Sequence, residues 1–331
     1  MKAYLFLILA IILTAAYPVI SKEQFIQDSS WTSTSIYSDS VQFTQTDTVD
    51  TFQIKLGDLD SADYFSGEIS FAYYLISSEQ YSDAQYLLFK LQSESTSADP
   101  NQRDSINYLI GWTFYFSRDF DQAIDHLSNV STQSEIGVQS QFYKSICLVY
   151  IEQYDSAKII LNNISTKPDD ILRELTVLQL TAIALLERDY YAYDSLSPYL
   201  TKKYFQFSEE ENSMKEYYAD LTNYRQKSPW IAGGLSALFP GLGKFYAGYI
   251  GLPFGTISMT LPLAAVAVEA AIIAGVLSPP FIVLGSLFGI FYVGNIWGSA
   301  LSVYTIKKEI YDEIDRNIIY DMHIPLRRVF W

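Results

Sequence analysis

Few residues in this chain are of types that could perform chemistry. It holds one cysteine, Cys147, and two histidines, His126 and His323. One cysteine supplies neither a disulfide nor a thiolate metal cage within a chain, and two distant histidines supply no metal ligand set. We find no phosphate-binding loop, dinucleotide fingerprint, zinc-protease motif or nucleophile elbow. The sequence therefore predicts a protein that is not an enzyme, with no catalytic residue, metal or cofactor, and with Cys147 as a buried structural thiol.

Glu269 is the one acidic residue inside a stretch apolar enough to cross a bilayer, and such residues are functional candidates. Asn295 in the next apolar stretch would differ from it in height by about 9 Å at ~1.5 Å per residue, which is too far for a direct bond. Glu269 could be protonated, face a neighbouring subunit, or pair with Lys244. The sequence leaves these alternatives open.

Charge divides the chain into two parts. Its 331 residues carry 22 Lys and Arg against 37 Asp and Glu, a net charge of -15. Residues 229–331 contain six Lys and Arg and six Asp and Glu, so the whole net negative charge lies in residues 1–228. An acidic domain argues against nucleic-acid binding and favours basic or polar partners. The remaining part is largely apolar, which predicts a membrane domain over 229–306.

Two apolar stretches, 252–277 and 281–306, are long enough to span a bilayer, with Ser278-Pro279-Pro280 as the turn between them. Small residues recur four apart in both stretches, a spacing that lets helices pack closely in lipid and would permit a homo-oligomer. These residues are Ala267, Ala270, Ala271 and Ala274 in the first stretch and Gly285, Gly289, Gly294 and Gly298 in the second.

A shorter apolar segment, 230–243, precedes these spans. It could lie in the interface, re-enter the membrane, or form a short kinked span. Its end carries a glycine-aromatic motif that resembles the signature of the TM2 family of small two-helix membrane domains. The motif residues are Pro240, Gly241, Gly243, Lys244, Phe245, Tyr246 and Gly248. The acidic residue common in that family's second helix has no counterpart, and the resemblance implies no biochemical activity.

The N-terminus predicts export. Lys2, an apolar run over 3–13 and small residues up to Ala16 are typical of a signal peptide over 1–16. The alternative is an uncleaved anchor. Residues 17–59 follow as a Ser/Thr-rich linker without helical periodicity.

Residues 60–207 contain a repeat. An aromatic residue followed by a small one recurs at Tyr81, Phe120 and Tyr154, and in degenerate form at Tyr190. The small residue that follows each aromatic belongs to the second helix of a pair. Another small residue lies twelve positions before it, in the first helix, and apolar residues come after it at helical spacing. This pattern predicts about four helix pairs and resembles the tetratricopeptide repeat family. The resemblance implies an all-α solenoid that binds protein segments, joined to C-terminal transmembrane helices.

Two further segments complete the prediction. Ser208 and Glu211 fit a capping box that opens a connecting helix over 208–228, with Glu209, Glu210 and Glu211 as its solvated start. Residues 307–331 are predicted to be a polar tail. Its five cations favour three crossings over two, because the positive-inside tendency then places the tail in the cytoplasm.

These features predict a membrane-anchored scaffold of the bacterial cell envelope. Its periplasmic repeat domain would bind a protein partner while the other part lies in the inner membrane, since outer-membrane integral proteins are typically barrels. The alternative is a small transporter or channel subunit that uses Glu269. The sequence identifies neither partner nor pathway.

Overall fold

The computed structural model describes residues 61–94, 99–165 and 170–330. Within these ranges the protein is all-α, as predicted, and contains no strand. The predicted signal peptide (1–16) and the whole of the predicted Ser/Thr-rich linker (17–59) lie outside the described residues. The described chain forms two compact units, a repeat unit of residues 61–224 with 311–330 and a second unit of residues 225–310, which we call the membrane unit because its two long helices are apolar enough to cross a membrane.

Helix pairs build the repeat unit, and each helix packs on the next. The pairs are α1 (Ser61–Ser77) with α2 (Tyr81–Glu94), α3 (Pro100–Phe116) with α4 (Phe120–Ser128), α5 (Gly137–Tyr150) with α6 (Tyr154–Asn163), and α7 (Ile171–Leu186) with α8 (Tyr190–Leu196). A 3₁₀ turn, Ser197–Tyr199, follows the last pair.

The small-residue positions of the predicted repeat are buried, which confirms the repeated helix-pair packing. Gly111 shows why the first helix needs a small residue, because a Cβ there would lie 2.7 Å from Cγ of Leu127. The equivalent positions in the other pairs are also buried, and so are the small residues of the second helices. These are Ala72, Ser145 and Thr181 on the first helices and Ala84, Ala123 and Ala157 on the second.

A left-handed residue ends the first helix of every pair, two positions before the repeat aromatic. These residues are Glu79, Arg118, Glu152 and Arg188, with φ between 59° and 62°. In each turn the following N–H donates to a carbonyl five residues back, as in Gln80 to Leu75 at 2.9 Å. This is the Schellman arrangement, which satisfies the last helix carbonyls and usually employs glycine.

Helix α9 (Ser208–Asn223) follows the last pair and packs on α7. The predicted capping box is wrong, because Phe207 is the N-cap residue and Ser208 lies inside the helix. The predicted solvated start is also wrong for two of its three glutamates. Glu210 and Glu211 are buried. Glu210 pairs with Arg328, and Glu211 accepts a hydrogen bond from the N–H of Lys202.

The membrane unit begins with two short helices, α10 (Pro229–Leu238) and α11 (Leu242–Ala247), which pack on each other. Then come α12 (Gly251–Ala274) and α13 (Pro279–Phe330), and each is long and apolar enough to cross a membrane. Helix α13 continues 52 residues without a break, so the segment predicted to be a polar tail is helical. Its last twenty residues belong to the repeat unit.

Candidate functional site

The repeat unit has an inner face, built by first helices of successive pairs, that holds residues 311–330 of α13. This C-terminal segment presents an apolar stripe with one residue every four positions, as one helix face requires. Ile318, Met322 and Leu326 are fully buried, and Ile314 is 7% exposed. Phe330 lies at the end of the stripe with its ring 5.6 Å from Phe142 of α5. The stripe is therefore part of the repeat unit's core.

Polar contacts fix the position of this segment. The Tyr115 hydroxyl of α3 is hydrogen-bonded to Nδ1 of His323, and the two rings stack. Burial, followed by the charge of Arg327, lowers the pKa of His323 to about 4, so the imidazole is neutral at physiological pH. Gln179 Nε2 of α7 donates to the Met322 carbonyl oxygen at 2.7 Å. Both contacts are specific to one register of the helix.

Three ionisable side chains of the C-terminal segment also have partners on the repeats. Arg188, the left-handed residue of the fourth turn, forms an ion pair with Asp315 at 2.8 Å. Tyr217 of α9 donates to Asp321 Oδ2 at 2.8 Å. Arg328 forms an ion pair at 3.0 Å with Glu210, which explains why Glu210 can be buried. The inner face thus matches the segment's charges as well as its apolar stripe.

The segment does not fill the whole inner face. Beyond Phe330 an open cavity of about 390 Å³ remains, lined by Tyr73, Tyr74, Ser77, Tyr108, Trp112, Gln139 and Phe330. The Trp112 ring packs against two of the lining tyrosines, with its centroid 5.9 Å from that of Tyr108 and 6.2 Å from that of Tyr73. Burial raises the pKa of both tyrosines above the usual range, so the walls are uncharged at neutral pH. The cavity offers aromatic surface with hydroxyl donors at its rim.

The sequence contains a signal for this cavity. Tyr108 and Trp112 are one helical turn apart, and Tyr73 and Tyr74 occupy the first helix of the preceding pair. Aromatic residues at such spacing are also typical of a helical-repeat core, so the spacing alone does not distinguish a cavity wall from a core. Trp112 is buried at 1% exposure, whereas Tyr74 is 61% exposed and faces the cavity.

A pair of buried carboxyl groups holds the chain ahead of α9. Glu174 Oε1 accepts from the N–H of Thr201 at 2.8 Å, and Glu211 Oε2 accepts from the N–H of Lys202 at 2.7 Å. Burial first, and then the neighbouring Glu174, raise the pKa of Glu211 to about 8, so Glu211 is mostly protonated at neutral pH. The two carboxyl groups therefore hold the segment that leads into α9, which is a structural role.

The glycine-aromatic motif has a structural role in the membrane unit. A Cβ on Gly243 would lie 1.9 Å from the Ala232 carbonyl oxygen, so only glycine lets α10 and α11 approach this closely. Gly241 and Gly248 have φ of 93° and 125°, which favours glycine. Pro240 is buried at the turn between the two helices. The Tyr246 hydroxyl accepts from the N–H of Ser228 at 3.2 Å.

The remaining motif residues lie at the surface of the hairpin. Phe245 is exposed, with its ring 5.3 Å from Phe254. Lys244 Nζ donates to Thr256 Oγ1 at 2.7 Å, near the start of α12. Thr256 precedes Glu269 by thirteen residues, about 20 Å along a helix. Lys244 therefore does not pair with Glu269 in this chain.

Glu269 and Asn295 occupy different environments. Glu269 is exposed on α12, and no hydrogen bond or ion pair from the described residues reaches its carboxylate. Asn295 is 7% exposed, and its amide has no hydrogen-bond partner among the described residues. Gly289, Gly294 and Gly298 have open space around a built Cβ, so these glycines mediate no packing within the described chain. The structure does not bring the intramembrane candidates together into one site.

The described residues contain no group of three or more His, Cys, Asp or Glu that could hold a metal ion. Cys147 is buried, as predicted, and burial raises the pKa of its thiol well above the usual range. Among the described residues, the aromatic cavity at the end of the inner face is therefore the candidate site that we consider further. No family model matches the chain, and no curated protein and no solved structure matches it.

Proposed function

We propose that this protein is a membrane-anchored scaffold that binds a segment of a protein partner at the aromatic cavity of its repeat unit. The observation that carries the proposal is that no described residue covers the end of the inner face. The chain's own C-terminal segment occupies the rest of that face through an apolar stripe and paired charges. A partner segment would continue along the same face beyond Phe330.

The cavity defines what such a segment presents. Tyr73, Tyr74, Tyr108 and Trp112 supply rigid aromatic surface, which favours aliphatic, aromatic or proline side chains. The excess of Asp and Glu before residue 228 favours Lys or Arg in the flanking positions. The partner is therefore a protein segment that combines apolar anchors with basic residues.

The cellular setting belongs to the same proposal. The signal-like N-terminus supports export of the repeat unit to the periplasm, and two apolar helices support anchoring in a bacterial inner membrane. The repeats are proposed to be of the tetratricopeptide type, and the motif after residue 240 to be of the TM2 type. Helix pairing and small-residue positions support the first proposal, and the motif residues support the second.

Site-specific photo-crosslinking in membranes tests this function. A benzophenone amino acid replaces Tyr74, which is 61% exposed at the cavity, or Tyr191, which is 87% exposed on α8 outside it. We expect a discrete crosslinked protein only from position 74. A synthetic peptide from the crosslinked region should then bind the full-length chain in detergent, more weakly at high salt.

Matched variants complete the test. Tyr74→Ala should weaken peptide binding about tenfold or more, as loss of an aromatic anchor does, and Tyr191→Ala should not. Glu269→Gln should leave binding unchanged if the protein is a scaffold. Equal crosslinking from positions 74 and 191, or peptide affinity that Tyr74→Ala leaves unaltered, would refute the cavity as the partner site.

A further inference from the structure

We infer that α10 and α11 form a re-entrant hairpin, so that the chain crosses the membrane twice and the repeat unit and the C-terminal segment share one side. The inference rests on the membrane anchoring in the proposed function, and it adds the topology. It is carried by two sets of contacts, one within each unit.

In the membrane unit, α10 descends along α13. A Cβ built on Gly233 would lie 3.7 Å from Cβ of Ala300. Three residues later, Ser236 Oγ donates to Ser299 Oγ at 2.7 Å. The next residue, Ala237, accepts at its carbonyl oxygen from the Tyr292 hydroxyl at 2.5 Å. Gln226, just before α10, meets Lys307, whereas Ala237 near its end meets Tyr292, so α10 runs toward lower residue numbers on α13 and reaches the Tyr292 side chain.

Helix α11 then returns to the level where α10 began. Gly243 packs against Ala232 and donates its N–H to Ser236 Oγ at 3.0 Å. A Cβ built on Gly248 would lie 3.0 Å from Cδ1 of Ile306. The hairpin therefore begins and ends beside the same end of the apolar part of α13.

Polar contacts mark that end as the membrane boundary. The Tyr249 hydroxyl donates to Glu309 Oε1 at 3.1 Å, and Lys307 Nζ donates to Gln226 Oε1 at 3.4 Å. Gln226, before the hairpin, and Tyr249, after it, thus contact the same turn of α13, which carries Lys307 and Glu309. Helix α10 has ten residues, about 15 Å, which is half of a hydrocarbon core of roughly 30 Å.

The surface of the hairpin suits lipid. Its side toward α13 is small or polar, with Ala232, Gly233 and Ser236 buried. Its outer side exposes Trp230 and Leu238, at 90% and 82%. Ser236 bonds to Ser299 and Gly243, so the buried polar groups are satisfied within the hairpin and α13, as an apolar medium requires.

The repeat unit gives an independent constraint. Residues 311–330 lie in its inner face, so they must be on the same side of the membrane as residues 61–224. An even number of crossings between residues 225 and 310 follows. Helices α12 and α13 supply two, and the hairpin supplies none. The three crossings predicted from the positive-inside tendency assumed that residues 307–331 form a free polar tail. Residues 311–330 instead pack in the repeat unit, where Arg328 is paired with Glu210.

Cysteine labelling of the full chain in sealed vesicles tests this topology. Single cysteines are placed in a Cys147→Ala background at Asp121 on the repeats, Asn317 on the C-terminal segment and Leu277 in the turn after α12, all exposed positions. A membrane-impermeant maleimide should label positions 121 and 317 from one side and position 277 only from the other. Labelling of 317 together with 277, opposite to 121, would overturn the inference, and so would labelling of all three from one side.

Depth measurements test the hairpin itself. A nitroxide at Leu238 should be accessible to oxygen and shielded from an aqueous nickel chelate, as should one at Val293, an exposed residue next to Tyr292 on α13. A label at Leu238 that is open to the nickel chelate would overturn the re-entrant hairpin. These outcomes are independent of partner capture at Tyr74, so the two proposals fail separately.

Discussion

The burial of Ile318 predicts that the C-terminal segment stabilises the repeat unit. Ile318 is fully buried on the stripe that faces α3 and α7, whereas the adjacent Ile319 is only partly buried. Ile318→Ala removes buried methyl groups and leaves a cavity, at a cost of about 3 kcal/mol within the usual 2–5 kcal/mol range. Ile319→Ala is the matched control, and it should cost less than about half as much.

Hydrogen exchange measured by mass spectrometry on the full-length chain reports this effect locally. At about 1.4 kcal/mol per tenfold change, 3 kcal/mol lowers the protection of α3 and α7 amides by roughly 150-fold. Amides of α12 belong to the membrane unit and should be little changed. The reasoning would be refuted if Ile318→Ala left α3 and α7 protected, or if Ile319→Ala had the same effect.

Three further outcomes are expected. Because burial raises the pKa of Glu211 from 4.5 to about 8, its protonated form stabilises the fold fully only below about pH 4.5, and this stabilisation is lost as the pH rises from there to 8, by on the order of 4 kcal/mol. Denaturant titrations at pH 5 and pH 9 should show this loss, which Glu211→Gln should remove and Glu209→Gln should not. Gly243→Ala should disrupt the α10–α11 hairpin and lower the melting temperature in detergent, whereas Gly234→Ala, with open space around a built Cβ, should not. Glu79→Gly should raise the unfolding free energy by about 0.5–1 kcal/mol, because glycine adopts its left-handed φ of 59° without strain, and a Glu79→Ala control that stabilised equally would contradict this explanation.

Local patterns made the helix pairs predictable. The small residue of each first helix, the aromatic at each turn and the apolar series that follows are set by contacts within about 40 residues. Helical periodicity exposes such contacts directly in the sequence. The apolar stretches of α12 and α13 were predictable for a similar reason, since length and hydropathy alone determine whether a helix can span a bilayer.

The candidate site was not predictable in this way. Tyr115 and His323 are 208 residues apart, and nothing near either residue indicates the other. Glu210 and Glu211 resemble an ordinary acidic helix start, because carboxylates favour helix N-termini. Their burial depends on Arg328, on Glu174 and on backbone N–H groups that only the folded chain brings near.

The sequence alone predicts an all-α chain with about four helix pairs, an acidic part separated from an apolar one, and two helices able to cross a membrane. Each of these follows from residue type and short-range spacing. The folded chain is needed to show that residues 311–330 occupy the inner face, that the described residues leave an aromatic cavity beyond them, and that α10 and α11 pack as a hairpin against α13. Those features depend on matching surfaces far apart in the chain, and local periodicity carries no information about which distant surface a helix will meet.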